Sequence, residues 1–475
     1  MVTVSAWEDD PKSDPSAKPV SRPVPALEQR RFGVAMVGEQ PLPERYRHDT
    51  SGFRYWNAAA SLTRAAQFWA GLVPAPTQWV GGGVLPATID AGHDLNAYYD
   101  RHGLYFFHAH VAGEAVYSGE SPDVLCHELG HAVLDAIVPS LWNTAAIEAA
   151  AFHESFGDIS AMLSALQLES VRTAVLEETS GRLSRSSRIS RLAEQLGWAI
   201  RQSHPDAVDR DCLRNAANSF FYSEPEALPP LAPASVLSSQ PHSFSRVFTA
   251  AWLDALAGMF TTIGASDEQG QPGDARQTRH AGSSPADLLR VSQDAGVLLV
   301  QAARSAPIAS NFFAQVAAEM IRADAARFHG TYRTALRRAF VGRGVLSASS
   351  AARVMEREDV SHVSAARQAE ASPPRWMPVS IDGGTYGLSI GHVMVEAPQA
   401  NSEQSVASAA PDLGSVPPVS PERASRAFVE DLLRRGRIDP GPIGVAHERR
   451  GGTRRQTHIF ERDGDAVRLV RQRIH

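Results

Sequence analysis

The chain reads as an α+β protein. Two patterns carry that reading: glycine-punctuated apolar runs between residues 79 and 110, and capped helical periodicity through most of residues 121–345. Composition is the third observation. Of 475 residues, 43% are hydrophobic and 21% charged, ordinary for a globular chain, so global disorder and fibrous repeats are excluded. At about 150 residues per domain, the length leaves room for roughly three.

The elements follow in order. Residues 1–31 hold Pro11, Pro15, Pro19, Pro23 and Pro25 among polar residues and lack the apolar core of a secretory leader, so a disordered arm is expected there. Residues 32–120 read as a mixed α/β N-terminal lobe, with a helix over Trp56–Leu72 and strands within Trp79–Ile89 and Gly103–His110. Residues 121–345 read as a mainly helical lobe. Ser121-Pro122-Asp123 opens its first helix with a hydroxyl cap, a proline whose missing N–H costs nothing, and an acid at the positive end of the dipole. That helix should stop near Val138, before Pro139, and a second should span about Ile147–Leu168. Further helical patterns lie at Phe244–Phe260, Ala286–Arg304, Asn311–Phe328 and Tyr332–Phe340, and a polar loop spans Gly264–Pro285. Residues 346–421 are linker-rich, above all Ala397–Pro421. Residues 422–475 read as a small element, a helix at Glu422–Arg435 and a hairpin turning at Asp463-Gly464.

Net charge is −6, which offers no basic footprint for nucleic acid. Only two of the 46 basic residues are lysines, a bias read as base composition rather than function. The C-terminal arginines, Arg449, Arg450, Arg454 and Arg455, read as a solvated face or a partner contact. Cys126 and Cys212 cannot build a disulfide framework and fit a reducing compartment. No uninterrupted apolar run reaches the roughly 18 residues of a membrane span. The default location is cytoplasmic, with non-classical export left open.

The chemistry concentrates at His127-Glu128-Leu129-Gly130-His131. Histidines four apart share one helical face and can reach one metal ion, and a carboxylate beside them can take a proton from metal-bound water. The helix is apolar nearly all round, so it should be buried, where two histidines and a glutamate are costly without a strong partner. A catalytic zinc site needs a third protein ligand. Glu148, His153 and Glu154 compete for that role. Glu154 is preferred because Asp158, one turn on, can orient a ligand histidine from behind.

The order H-E-x-x-H, then glutamate and aspartate on the next helix, resembles the gluzincin pattern, and thermolysin-like zinc metallopeptidases within it. Asn96-Ala97-Tyr98-Tyr99 resembles that family's edge segment for peptide substrates, and Leu213-Arg214-Asn215 its stretch with a substrate-contacting arginine. Pro241-His242-Ser243 falls where the family places the histidine that stabilises the tetrahedral intermediate, just before an apparent Ser243 helix cap. The resemblance implies two lobes with the active site in the cleft between them. It implies His127, His131 and Glu154 as ligands of one Zn²⁺, Glu128 as base, His242 on the oxyanion, and Asn96, Ala97 and Arg214 on a peptide or protein substrate. Trp142 stands in the place of the family's oxyanion tyrosine, and no aspartate precedes His242 to orient its ring; Ser238 or Ser239 is the nearest substitute. Asp123 matches a family calcium ligand, but its partner position is Ala165, so calcium is not expected. The expected activity is peptide-bond hydrolysis, with an endopeptidase as the first form. The alternative is a weak or inactive relative that uses the cleft to bind protein. An aminopeptidase of the other large gluzincin group lacks its Gly-x-Met-Glu-Asn signature here.

Overall fold

Thr50 caps the first helix, its hydroxyl accepting from the Phe53 N–H, so α1 (Ser51–Leu72) starts earlier than the apolar pattern from Trp56 suggests. The computed structural model describes residues 2–26, 31–268, 284–358, 375–400, 406–410, 414–441 and 455–474. Phe53, Trp56, Leu62 and Trp69 are fully buried along α1. Near α1 lies a four-stranded sheet in the order Val34–Met36, Leu85–Thr88, Leu104–Phe106, Ala97–Tyr99. Its last strand is antiparallel to its neighbour and forms the edge.

Ser121 caps α2 (Pro122–Ile137) by accepting from the Val124 N–H, with Pro122 and Asp123 in the first turn. Every residue of α3 (Ile147–Ala165) is buried, and α2 and α3 pack along each other. The remaining helices are α4 (Glu169–Thr179), α5 (Glu194–Arg201), α6 (Pro241–Glu268), α7 (Pro285–Ser305), α8 (Phe312–Phe328), α9 (Arg333–Gly342), α10 (Ala348–Glu358) and α11 (Pro421–Arg434). Between α3, α7 and α9 runs α6, where Phe244 stacks on Phe313 and Phe248 on Phe340. The stretch Pro241–Gly264 is long and apolar enough to cross a membrane by composition, although 72% of its most apolar window is buried inside the molecule.

Three expectations are corrected. The first concerns residues 1–31, expected as a disordered arm: Thr3–Ala6 and Val20–Pro23 pair antiparallel, Val4 and Ala6 are buried, and the Trp7 N–H donates to Asn57 Oδ1. Local composition missed this because the apolar partners lie on α1, some fifty residues away. Second, residues 346–421 and 422–475 are not separate units. Trp376–Ser380, His392–Glu396, Ala466–Arg471, His458–Asp463 and Ile438–Asp439 make one five-stranded sheet, and Ser408–Ala410 pairs with Gly414–Val416 inside the expected linker. Third, α6 begins at Pro241, so His242 stands inside its first turn rather than ahead of a Ser243 cap. Most of the polar loop Gly264–Pro285, together with Arg449, Arg450 and Arg454, lies outside the described residues.

Candidate metal centre

His127, Glu128 and His131 project from α2 into one group whose ligand atoms all lie within 4.8 Å of one another, and all three are buried. Glycines on both helices make the group possible. A Cβ at Gly130 would stand 2.7 Å from Ser160 Cβ, and a Cβ at Gly157 2.7 Å from the His127 ring. The two backbones therefore approach closely enough for His127 to lie on α3. Ser160 and Trp69 fasten the contact: Ser160 Oγ donates to the Cys126 carbonyl at 2.8 Å, and Trp69 Nε1 donates to Ser160 Oγ at 2.9 Å.

From α3 come two carboxylates. Glu154 Oε2 lies 3.5 Å from His127 Nε2 and 3.1 Å from His242 Nε2, and Asp158 Oδ1 lies 3.0 Å from His127 Nδ1. Asp158 is gripped from its other side by Arg214, whose Nε and Nη2 donate to it at 3.2 and 2.7 Å. Burial raises Asp158, but the Arg214 guanidinium and the His127 ring outweigh it and hold the carboxyl at about 2. Burial also opposes charge on His127, yet Asp158 and Glu154 together lift it to about 9. For His131, burial and the neighbouring His127 pull the ring down to about 3, which keeps its lone pair free. Glu128 is pushed up to about 8 by burial.

The unpaired atoms converge. Neither ring nitrogen of His131 nor Oε2 of Glu128 has a hydrogen-bond partner among the described residues, whereas Glu154 Oε2 has the His127 and His242 rings beside it. Buried polar atoms left this way are costly. A cation among His127, Glu128 and His131 would remove that cost. The competing third ligands are committed or apart. Glu148 accepts from Tyr222 Oη at 2.7 Å and from the Phe313 N–H at 2.8 Å. The His153 ring, whose two nitrogens are also unpartnered, has its centroid 6.0 Å from that of His131 and stands outside the group of ligand atoms within 4.8 Å.

His127 and Glu128 floor a cavity of about 520 Å³ that Asn96, Ala97, Asp158, Arg214 and His242 also line. Its apolar wall includes Val124, Leu192, Leu196, Ile200 and Leu213. Sequence reasoning missed three contributors. Gln240 Nε2 donates to His242 Nδ1 at 3.1 Å, at the place of an orienting aspartate but with the opposite polarity, whereas Ser239 Oγ is turned to Asp431 and Pro229 and Ser238 donates its N–H to Ser243 Oγ. Arg437 and Arg455 line the cavity as well, so Arg455 is more than part of a solvated face. Desolvation, against the pull of Glu154, holds His242 below the ordinary histidine value and keeps the ring neutral.

Two expectations change. Trp142 is buried and its Nε1–H donates to the Arg471 carbonyl at 3.1 Å, so it does not take the oxyanion-donor place. Asp123 is not a lone carboxylate: Asp10 and Glu194 bring ligand oxygens within 4.8 Å of it. Asp10 arrives from the N-terminal hairpin, which the sequence pattern did not place there.

No protein-family model and no curated protein matches this chain.

Proposed function

We propose that the chain is a zinc-dependent peptidase working in the manner of the thermolysin-like gluzincins. The observation that carries this reading is the buried group of His127, Glu128 and His131, with unpartnered His131 nitrogens and Glu128 Oε2, at an open cavity that His127 and Glu128 line. His127, His131 and Glu154 would hold the metal, and Asp158, itself held by Arg214, sets the His127 ring. When bound, the metal supplies Lewis acidity, which lowers the pKa of a water and polarises a carbonyl.

The other steps belong to the chain. Glu128 takes the proton of the attacking water and later returns it to the leaving amine. His242, neutral and with Gln240 donating to Nδ1, carries its proton on Nε2 beside Glu154, and would turn that N–H to the negative charge that develops on the carbonyl oxygen once Glu154 binds the metal. Ala97 offers strand-edge backbone to the peptide, and the apolar wall around Leu196 and Leu213 takes an apolar side chain and keeps water out. One observation favours a low turnover: Trp142 spends its N–H on Arg471, leaving no second donor from that position.

Glu128→Gln tests the reading directly. The amide keeps the shape but cannot accept the proton, so the variant should hold one equivalent of zinc and lose hydrolysis of a broad peptide library. Wild-type turnover in that variant would remove Glu128 as the base. His127→Ala and His131→Ala should each lose the metal, checked by elemental analysis. A wild-type protein that holds zinc and cleaves nothing would put the protein-binding relative ahead.

A further inference from the structure

The edge strand Ala97–Tyr99 is already partly occupied by the chain itself. The Tyr99 N–H donates to the Ile474 carbonyl at 3.1 Å and the Ile474 N–H donates to the Tyr99 carbonyl at 2.9 Å, an antiparallel bridge on the side away from Leu104–Phe106. By strand alternation Ala97 points its backbone groups to that same side. Asn96 and Ala97 border the open cavity, while the position two residues on is filled.

The occupying segment is pinned. Its Arg471 carbonyl accepts from Trp142 Nε1 and its Arg471 N–H donates to Asn143 Oδ1, both at 3.1 Å. The Gln472 N–H donates to the Thr457 carbonyl at 2.8 Å, and the Arg473 guanidinium lies 4.8 Å over the Tyr98 ring. Arg471, Arg473 and Ile474 also line a recess of only about 40 Å³ together with Glu154 and His242. His127 and Glu128 line the large cavity, whereas Glu154 lines this small recess.

We infer that the segment Arg471–Ile474 is a built-in stop that closes one end of the cleft and limits how far a peptide can extend along the edge strand. The inference rests on the peptidase reading of the same site. A peptide that pairs with Ala97 and runs toward Tyr99 meets the segment at Ile474. The preferred substrates are therefore peptides that are short on the closed side, and longer peptides must first displace the segment.

Ile474→Pro removes the N–H that donates to Tyr99 and leaves the sheet behind it intact. One hydrogen bond is worth a factor of about 2 to 12 in the competition between segment and substrate. The variant should raise kcat/KM by that factor for peptides of six to ten residues and leave tripeptides unchanged. Arg473→Ala, which loses only the contact over Tyr98, should shift long peptides the same way by less; it serves if the proline variant does not fold. An equal effect on short and long peptides, or none, with zinc content and circular dichroism unchanged, would overturn the inference. Binding of peptidyl hydroxamates, extended by one or by four residues in either direction from the metal-binding group, separates the two readings. If no protein hydrolyses peptides yet the long hydroxamate binds the variant more tightly than wild type, the closed end stands and the peptidase reading fails. If both proteins bind the long hydroxamate equally, or neither binds it, the closed end is wrong.

Discussion

Gly157 has no side chain to offer, yet the His127 ring depends on it. A Cβ there would meet three ring atoms at 2.7 to 2.9 Å, and the ring is held between Asp158 and Glu154 with little room to move. Gly157→Ala should therefore keep α3 helical, since alanine is the better helix former, and lose most of the bound metal by elemental analysis. Gly71, with nothing within 4 Å of its would-be Cβ, is the control: Gly71→Ala should leave metal content unchanged. His242 makes the second residue-scale prediction. Its ring serves a charge that exists only in the transition state, so His242→Ala should lower kcat and kcat/KM together by roughly 10²–10³, with metal retained. Gln240→Ala should cost less, because the ring stays but turns more freely. The histidine was legible in the sequence by its place in an ordered series of motifs. Gln240 was not, because nothing about a glutamine two residues upstream shows which nitrogen it will face.

At the scale of elements, α6 carries His242 at one end and is registered by aromatic packing further along. Phe248 is fully buried between Phe152, Phe313 and Phe340. Phe248→Ala should destabilise the protein by about 3–5 kcal/mol, read as a lower denaturant midpoint. Helix positions were readable from caps and period: α2 begins where Ser121-Pro122-Asp123 announces it, and α7 and α8 match their apolar patterns closely. Strand pairing was readable only where it is local, in the hairpin that turns at Asp463-Gly464; Met394 meets Arg468 across more than seventy residues and no local pattern encodes that partner.

Across the whole molecule, the N-terminal hairpin, α2 and α5 meet at four carboxylates: Asp9, Asp10, Asp123 and Glu194. Burial raises all four, Asp9 to about 6, and for Asp9, Asp123 and Glu194 repulsion from the neighbouring carboxylates, Asp10 included, adds to it. Arg188 and Arg191 stand 3.6 and 3.4 Å from Asp9 and Glu194 and offset part of the charge. Groups whose folded pKa is raised bind protons more tightly folded than unfolded. Their stabilising contribution is present below about pH 4 and lost as pH rises through the Asp9 value near 6 and beyond. Asp10→Asn removes one charge while keeping the bonds from Lys12, Gln195 and Ser121, the last with Ser121 turned to accept. Urea unfolding in chelator should show the variant more stable than wild type at pH 8, by on the order of 1–3 kcal/mol, with the gap shrinking toward pH 4. A gap that does not change with pH would show that repulsion is not what Asp10 contributes.

The sequence by itself determined the local chemistry. Residues four apart on a helix must share a face, so His127 and His131 could be paired, and Glu128 set beside them, from spacing alone. Glu154 and Asp158 were paired with each other by the same rule. Only the tertiary structure decided what stands opposite them. It turned Trp142 toward Arg471, supplied Gln240 to the His242 ring, and carried Asp10 from a supposedly disordered arm to Asp123. It also drew residues 376–380 and 466–471 into one sheet and laid Ile474 on the edge strand. The physical reason is the same in each case: helical neighbours are fixed by backbone period, whereas contacts between distant segments are chosen by burial and hydrogen-bond partners that exist only once the chain has folded.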